Sequence, residues 1–277
     1  MINIQNLNFH YKANQPVYSG LNMELNCGNI YGLLGENGVG KTTLLKLISG
    51  LLFPNQGHVS TFDFEAKKRY PAMLEKIYFL PETYTLPKIK MSEYIKLYAS
   101  FYPKFDHQKL AEYVKIFGLS NTKKLSEFSH GQQKKWLLAF GLATNTEMLL
   151  MDEPTNGLDI PSKSLFRKML AENIDDQKTI VISTHQVRDL ENLIDPIIIL
   201  EYNQVLLNNS VEEISQKLKF VLRENQSETT LYAESAVGGF WCVEPNTDQV
   251  ESKVNLELLF NAAINNKELF KKLFIQK

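Results

Sequence analysis

The chain has 277 residues, 44% of them hydrophobic and 22% charged, a composition that excludes disordered and fibrous proteins. Lys and Arg number 30 against 31 Asp and Glu, a net charge of −1; this supplies no global attraction for a polyanion, so an anion must be held locally and no nucleic-acid partner is expected. Cys27 and Cys242 are too far apart in sequence to suggest a disulfide framework or zinc site, no apolar run approaches the ~18 residues that span a bilayer, and the first segment lacks the pattern of a signal peptide, all of which points to a reducing, cytoplasmic setting.

At the start, "INIQNLNFHY" and "VYSGLNMELN" alternate apolar and polar residues, as half-buried antiparallel strands do. Then come short, nearly continuous apolar runs: "IYGLL", later "IYFL", "MLLM" and "TIVIS". Such runs suit strands buried on both faces of a parallel sheet covered by helices. Each ends in a polar group: "GENGVGKTT", "PE", "DE" and "TH" in that order. Because ligands bind at the carboxyl edge of an open parallel sheet, the four groups are expected on one rim. Between the second and third runs, "SEYIKLYASFY" and "HQKLAEYVKIFGL" read as polar and aromatic helices. They predict an inserted helical subdomain over about 88–135, which closes with the loop "FSHGQQKK" before the helix-like "WLLAFGLA". From about 216 the sequence carries a strand-like "TTLYAE", a glycine pair before "FWCVEP", and one final amphipathic helix, "NLELLFNAAINNKELFKKLF".

The stretch 35–43 fits glycine, four residues, glycine, lysine, serine or threonine, between a strand and a helix. Gly35, Gly38 and Gly40 let the backbone curl, so that the N–H groups of Glu36, Asn37, Val39 and their neighbours, with the helix N-terminus at Thr42 and Thr43, surround phosphate oxygens. Lys41 would reach the β- and γ-phosphates of ATP, and the Thr42 hydroxyl would take a place on Mg²⁺. Asp152 follows a buried apolar run, where a carboxylate holds Mg²⁺ through a water, and Glu153 beside it is assigned the attacking water. The expected fold class is α/β: a phosphate-loop NTPase core with a mostly parallel sheet, an N-terminal antiparallel β-subdomain, the inserted helical subdomain and a small C-terminal α+β extension, with an ATPase domain over 1–215 and the extension over 216–277.

With these motifs in this order, the sequence over residues 1 to about 215 resembles the nucleotide-binding subunit of ATP-binding-cassette (ABC) transporters. "TNGLD" at 155–159, ending in Asp159, looks like the family's D-loop, His185 in "STH" stands in the place of the switch histidine, and Tyr11, thirty residues before Lys41, matches the aromatic that stacks on adenine. "FSHGQ" lies where the family has its signature. The resemblance implies that Ser129, Gly131 and Gln132 cap the γ-phosphate held by a second subunit, that the chain dimerises on ATP, and that it powers separate transmembrane permease subunits from the cytoplasmic face of the membrane. Two departures stand out. His130 replaces a signature glycine and is expected to point outward, and Glu82 in "YFLPE" replaces a glutamine that touches Mg²⁺. The pairing of the two is similar to a subset of exporters. The alternatives are a soluble ATP-driven switch of the same fold acting on nucleic acid or a ribosome, and a small-molecule kinase.

Other features take simpler readings. Tyr94, Tyr98, Phe101, Tyr102 and Phe105 recur at helical spacing, as in a subdomain core, with a partner groove as the second reading. Leu256, Leu259, Phe260 and Ala263 form a stripe expected to pack within the chain. Lys123, Lys124, Lys134 and Lys135 read as a solvated face.

Overall fold

In a computed structural model of the chain, which describes residues 2–274, the elements run in order β1 (Ile2–Lys12), β2 (Gln15–Leu25), β3 (Ile30–Leu34), α1 (Lys41–Ile48), β4 (Gln56–Thr61), β5 (Phe64–Glu65), α2 (Pro71–Leu74) and β6 (Ile77–Leu80). Then follow α3 (Met91–Tyr98), α4 (His107–Ile116), α5 (His130–Ala143), β7 (Met148–Asp152), α6 (Ile160–Asn173), β8 (Thr179–Thr184), β9 (Ile197–Glu201), β10 (Gln204–Asn209) and α7 (Val211–Lys217). The chain continues with β11 (Leu218–Arg223), β12 (Tyr232–Ala236), β13 (Gly239–Pro245), α8 (Leu256–Asn265) and α9 (Lys267–Phe274).

Three sheets result. The strands β2-β1-β4-β5 form an antiparallel sheet, β10-β9-β3-β8-β7-β6 form the central sheet, and β11-β13-β12 form a small antiparallel one. In the central sheet every pairing is parallel except β10 against β9, so the four apolar runs foreseen in the sequence lie side by side with their carboxyl ends together. The sequence reading did not pick out β9 and β10; β9 extends the sheet beyond β3, and β10 turns back on it after Tyr202 and Asn203.

The continuous apolar character of these strands follows from burial on both faces. Along β7 and β8, Met148, Leu150 and Val181 face a core shared with α1 and the N-terminal antiparallel sheet, whereas Leu149, Met151, Ile180 and Ile182 face a second core shared with α5, α6 and α8. Side chains alternate faces with period 2, and both sets find apolar partners. The small sheet joins this second core: Leu218, Phe220 and Val243 belong to it, together with Leu190 and Ile194 from the segment after β8. Two surface ion pairs tie the same segment to α8 and the stretch before it, Arg188 with Glu257 at 2.5 Å and Lys253 with Glu191 at 3.9 Å.

Two expectations change. The final amphipathic stretch is not one helix. Asn266 leaves the helical region (φ −127°, ψ 47°) and turns its side-chain amide to the Leu231 carbonyl at 2.9 Å and the Ala262 carbonyl at 3.2 Å, dividing α8 from α9. The aromatic set also splits. Tyr94, Tyr102 and Phe105 pack around Phe140, but Tyr98 and Phe101 are 40% and 66% exposed, and with Tyr94, Tyr102 and Leu51 they line a groove of about 700 Å³. The stripe Leu256, Leu259 and Ala263 packs into the second core, with Phe260 half-buried against it.

The helix that will matter for the site, α5, lies close on β6 because Gly141 has no side chain. A Cβ there would sit 2.2 Å from Cε1 of Tyr78, a ring fixed by its own hydrogen bond to the Leu137 carbonyl at 2.9 Å. Gly141→Ala should therefore destabilise the protein by about 1–3 kcal/mol through overpacking. Thermal denaturation should show a midpoint lowered by roughly 2–4 °C per kcal/mol, and an unchanged midpoint would refute the close-contact reading.

Candidate functional site

The loop 35–40 joins β3 to α1. Gly38 and Gly40 have φ of 83° and 115°, a region that side chains with a Cβ resist. At Gly40 space is also short: a Cβ would lie 2.7 Å from the Tyr18 hydroxyl and 2.8 Å from Cγ1 of Val17. Tyr18 donates to the Gly40 carbonyl at 2.8 Å, so β2 supports the loop from beneath. Lys41 folds its ammonium back to the carbonyls of Gly35 at 2.7 Å and Glu36 at 3.1 Å. Burial lowers this ammonium below the ordinary lysine range, and the nearby carboxylates of Glu153, Asp152 and Glu82 oppose that shift.

At the end of β7, Asp152 is 1% exposed and hydrogen-bonded on both oxygens. Thr42 Oγ1 donates to Oδ2 at 2.6 Å, and Ser183, the register neighbour of Asp152 on β8, donates to Oδ1. Glu153 is 3% exposed and takes a left-handed backbone with φ 46°. Its Oε1 accepts from the His185 amide at 3.1 Å and lies 2.7 Å from His185 Nδ1, while its Oε2 is buried without a protein partner. A buried carboxylate oxygen with no donor is a place for one, and a water is the natural candidate.

These groups share one cavity of about 530 Å³, lined by Tyr11, Val17, Asn37, Gly38, Gly40, Lys41, Thr42, Thr43, Glu82, Asp152, Glu153 and His185. Every one of them except Val17 is a residue singled out in the sequence. The Tyr11 hydroxyl meets Thr43 Oγ1 at 3.0 Å, with most of its ring exposed. Gly35, Glu36 and Val39 are not among the lining residues; Val39 points into the core beneath the loop.

The signature residues and Asp159 lie outside this cavity. Ser129 is the N-cap of α5: its hydroxyl accepts from the Gln132 amide at 3.3 Å, and Gln132 Oε1 accepts from the Ser129 amide at 3.0 Å, a closed capping box. Gly131 fits tightly, since a Cβ would lie 2.8 Å from the Gly157 carbonyl. His130 is exposed, yet its ring stacks on Tyr84 with centroids 5.7 Å apart and planes 14° apart, and its Nδ1 packs on Gly157. Asp159 caps α6 through the Ser162 amide at 2.8 Å and pairs with Lys135 at 3.3 Å.

Three residues bear on the site that the sequence reading missed or misplaced. Tyr18 and Ser183 sat inside strand patterns; their polar tips gained meaning only once the register was known. Lys134, expected on a solvated face, is 0% exposed, and its ammonium reaches the Glu153 carbonyl at 3.5 Å. Burial lowers its ammonium below the lysine range, and Glu82, Asp152 and Glu153 pull it back up.

Thr42, Asp152 and Glu82 offer only oxygen donors, as a hard divalent cation requires. Among the described residues no cluster of three or more His, Cys, Asp or Glu could hold a metal alone. Mg²⁺ fits such a site because it keeps waters and binds through one or two protein oxygens together with substrate phosphates.

A phosphate loop after β3 and an acid pair at the end of β7, one strand apart on the carboxyl edge of a parallel sheet and joined through Thr42 and Asp152, are the arrangement of a phosphate-loop ATPase. The chain belongs to the ABC transporter family, whose profile, described as "ABC transporter", matches residues 18–156. It is 30% identical over 194 residues to the ABC transporter ATP-binding protein NatA of Bacillus subtilis, an alignment covering 68% of this chain and 79% of that one. It is 29% identical over 207 residues to the Nod factor export ATP-binding protein I of Burkholderia orbicola (72% and 67% covered) and 29% over 198 residues to the molybdate import ATP-binding protein MolC of Haemophilus influenzae (67% and 73%). In fold it is similar to a dimeric, post-hydrolysis ATP-binding cassette bound to ADP and Pi, with a TM-score of 0.67 at 24% identity, over 76% of this chain and 98% of that one. The chain is thus an ATP-binding subunit built on an ABC ATPase domain.

Ser183→Ala should leave the buried Asp152 carboxylate with Thr42 alone and cost about 1–3 kcal/mol. A lowered melting midpoint, together with a higher Mg²⁺ concentration for half-maximal ATP turnover, is the expected result. If both values stay at those of the unmodified protein, Ser183 does not support Asp152.

Proposed function

We propose that the chain is the ATP-hydrolysing motor of an exporter: it pairs with a second nucleotide-binding subunit on ATP and drives permease subunits made as separate polypeptides. The observation that carries this reading is the division between the two halves of the chemistry. Lys41, Thr42, Asp152, Glu153 and His185 line one cavity, whereas Ser129 and Gly131 lie outside it, available to the nucleotide of a neighbour. In this reading Tyr11 stacks on adenine, Lys41 and the loop amides hold the phosphates, and Asp159 belongs to the loop that meets the second subunit. Thr42, Asp152 and Glu82 hold Mg²⁺, which when bound neutralises phosphate charge. Glu153 takes the proton of the attacking water at its unpartnered Oε2, with Oε1 anchored by His185.

Among the described residues no helix is long and apolar enough to cross a membrane, so a permease must be met at a surface. The groove bearing the exposed Tyr98 and Phe101 is the apolar surface suited to it. The pairing of Glu82 with His130 supports export over import, while relatives named for export and for import are equally similar at 29% identity.

Glu153→Gln should keep ATP binding and slow hydrolysis by roughly 10²–10⁴-fold, the usual loss for a general base, so that an ATP-bound dimer accumulates on size exclusion. Near-normal turnover would remove Glu153 from the mechanism. The trans arrangement has its own test, in which Lys41→Ala and Ser129→Arg chains are mixed in equal amounts. Neither homodimer has an intact site, but the mixed dimer gathers both lesions into one site, so about a quarter of all sites recover. Recovery is read as turnover and as ATP-dependent dimer. If mixed dimers form and neither measure recovers, the signature does not serve a neighbouring subunit.

A further inference from the structure

Lys134 is fully buried, and the proposed mechanism gives it no part. It stands on α5, five residues after Ser129. Its ammonium lies 3.5 Å from the carbonyl oxygens of both Glu82 and Glu153 and 5.0 Å from the centre of the Tyr84 ring. An ammonium has three donors, and two long hydrogen bonds and a ring face leave it poorly satisfied in a place where desolvation is costly. A methionine would fill a similar volume without that cost. The charge therefore needs a reason to be there.

The reason lies in the backbone of Glu153. This residue holds a left-handed φ of 46°, which a side chain with a Cβ adopts only under restraint. Its amide is fixed by the Ser183 carbonyl at 3.1 Å. Its carbonyl faces the Asn156 amide at 3.3 Å and the Lys134 ammonium, the latter reaching in from another element altogether. The orientation of that peptide sets the direction of the Glu153 side chain.

We infer that Lys134 is a positioning residue, holding the Glu153 backbone from the same helix whose first turn carries the signature loop, so that a nucleotide meeting Ser129 and Gly131 is felt at the carboxylate of this chain's own site. Tyr84 strengthens the link: one ring stacks on His130 of the signature and covers the Lys134 ammonium. The His130 and Lys134 ends of the first turns of α5 are thus tied through Tyr84 to the loop that carries Glu82. The inference rests on the proposed roles of Glu153 and of the signature loop.

The test uses the full chain with Lys134→Met, Glu153→Gln and the double variant, each measured for melting midpoint, ATP affinity, KM and kcat. Lys134→Met should lower kcat about tenfold or more and leave ATP affinity and KM within about twofold. In the Glu153→Gln background the same change should alter the residual rate less than about twofold, since there is no carboxylate left to position. An equal loss in both backgrounds, a kcat within twofold of the unmodified chain, or a loss that tracks a falling midpoint and weaker ATP binding would each overturn the proposal. If Lys134→Met does not fold, Lys134→Gln, with its uncharged amide, is carried through the same cycle. A Glu153→Gln chain with normal turnover rejects the reading of Glu153 itself, whereas a slow Glu153→Gln beside a normal Lys134→Met rejects only the role of Lys134.

Discussion

The carboxylate of Asp152 is the constraint around which the site is built. It is an ion 1% exposed at the end of a buried strand, and it persists because hydroxyls from two other elements satisfy it: Thr42 from the first turn of α1 and Ser183 from β8. Those bonds tie the phosphate loop, the acid pair and the strand leading to His185 into a single rim. The register of β7 against β8 sets Asp152 opposite Ser183, and a slip of one residue would part that pair and send each side chain to the opposite one of the two cores. Hydrophobic packing sets the alignment, and the polar groups at its edge inherit their geometry from it.

Much of this was legible in the sequence, for physical reasons that can be named. Continuous apolar runs bounded by polar groups predicted buried parallel strands, and the spacing of glycines and lysine predicted a backbone curled before a helix; β3, β7, β8 and α1 lie where those patterns put them. Glu153 and His185, 32 residues apart, meet because their strands are neighbours. What stayed hidden depended on three-dimensional context. A lysine on a helix looks the same whether it faces solvent or the back of an acid pair, and charge pattern alone assigned Lys134 to the wrong side. The break at Asn266 was invisible because the apolar spacing runs on across it, and only the carbonyl of Leu231 gives its side chain a reason to leave the helix.

The site holds a strained backbone, an unsatisfied oxygen and a weakly paired charge close together. Glu153 combines a left-handed backbone with an orphaned oxygen, and the Lys134 ammonium has only distant partners. Away from the cavity, Lys219 is held by both oxygens of Asp248 at 2.8 Å, and Arg223 closes on the buried Glu244. A left-handed backbone and an orphaned buried oxygen also coincide at Asn203, away from the cavity, so what is particular to Glu153 is that the oxygen belongs to an acid lining the cavity.

The small C-terminal sheet contributes no residue to the nucleotide cavity lining, yet its core is not its own. Leu218, Phe220, Val243 and, on α8, Leu259 belong to the same apolar core as Leu190 and Ile194 of the segment beyond His185. Opening that segment would strip apolar cover from the sheet and α8, and loosening the sheet would do the same to the segment, so the two form one cooperative unit with a shared free energy of local opening. The segment that follows His185 is therefore buried together with a part of the chain that lies outside the cavity lining.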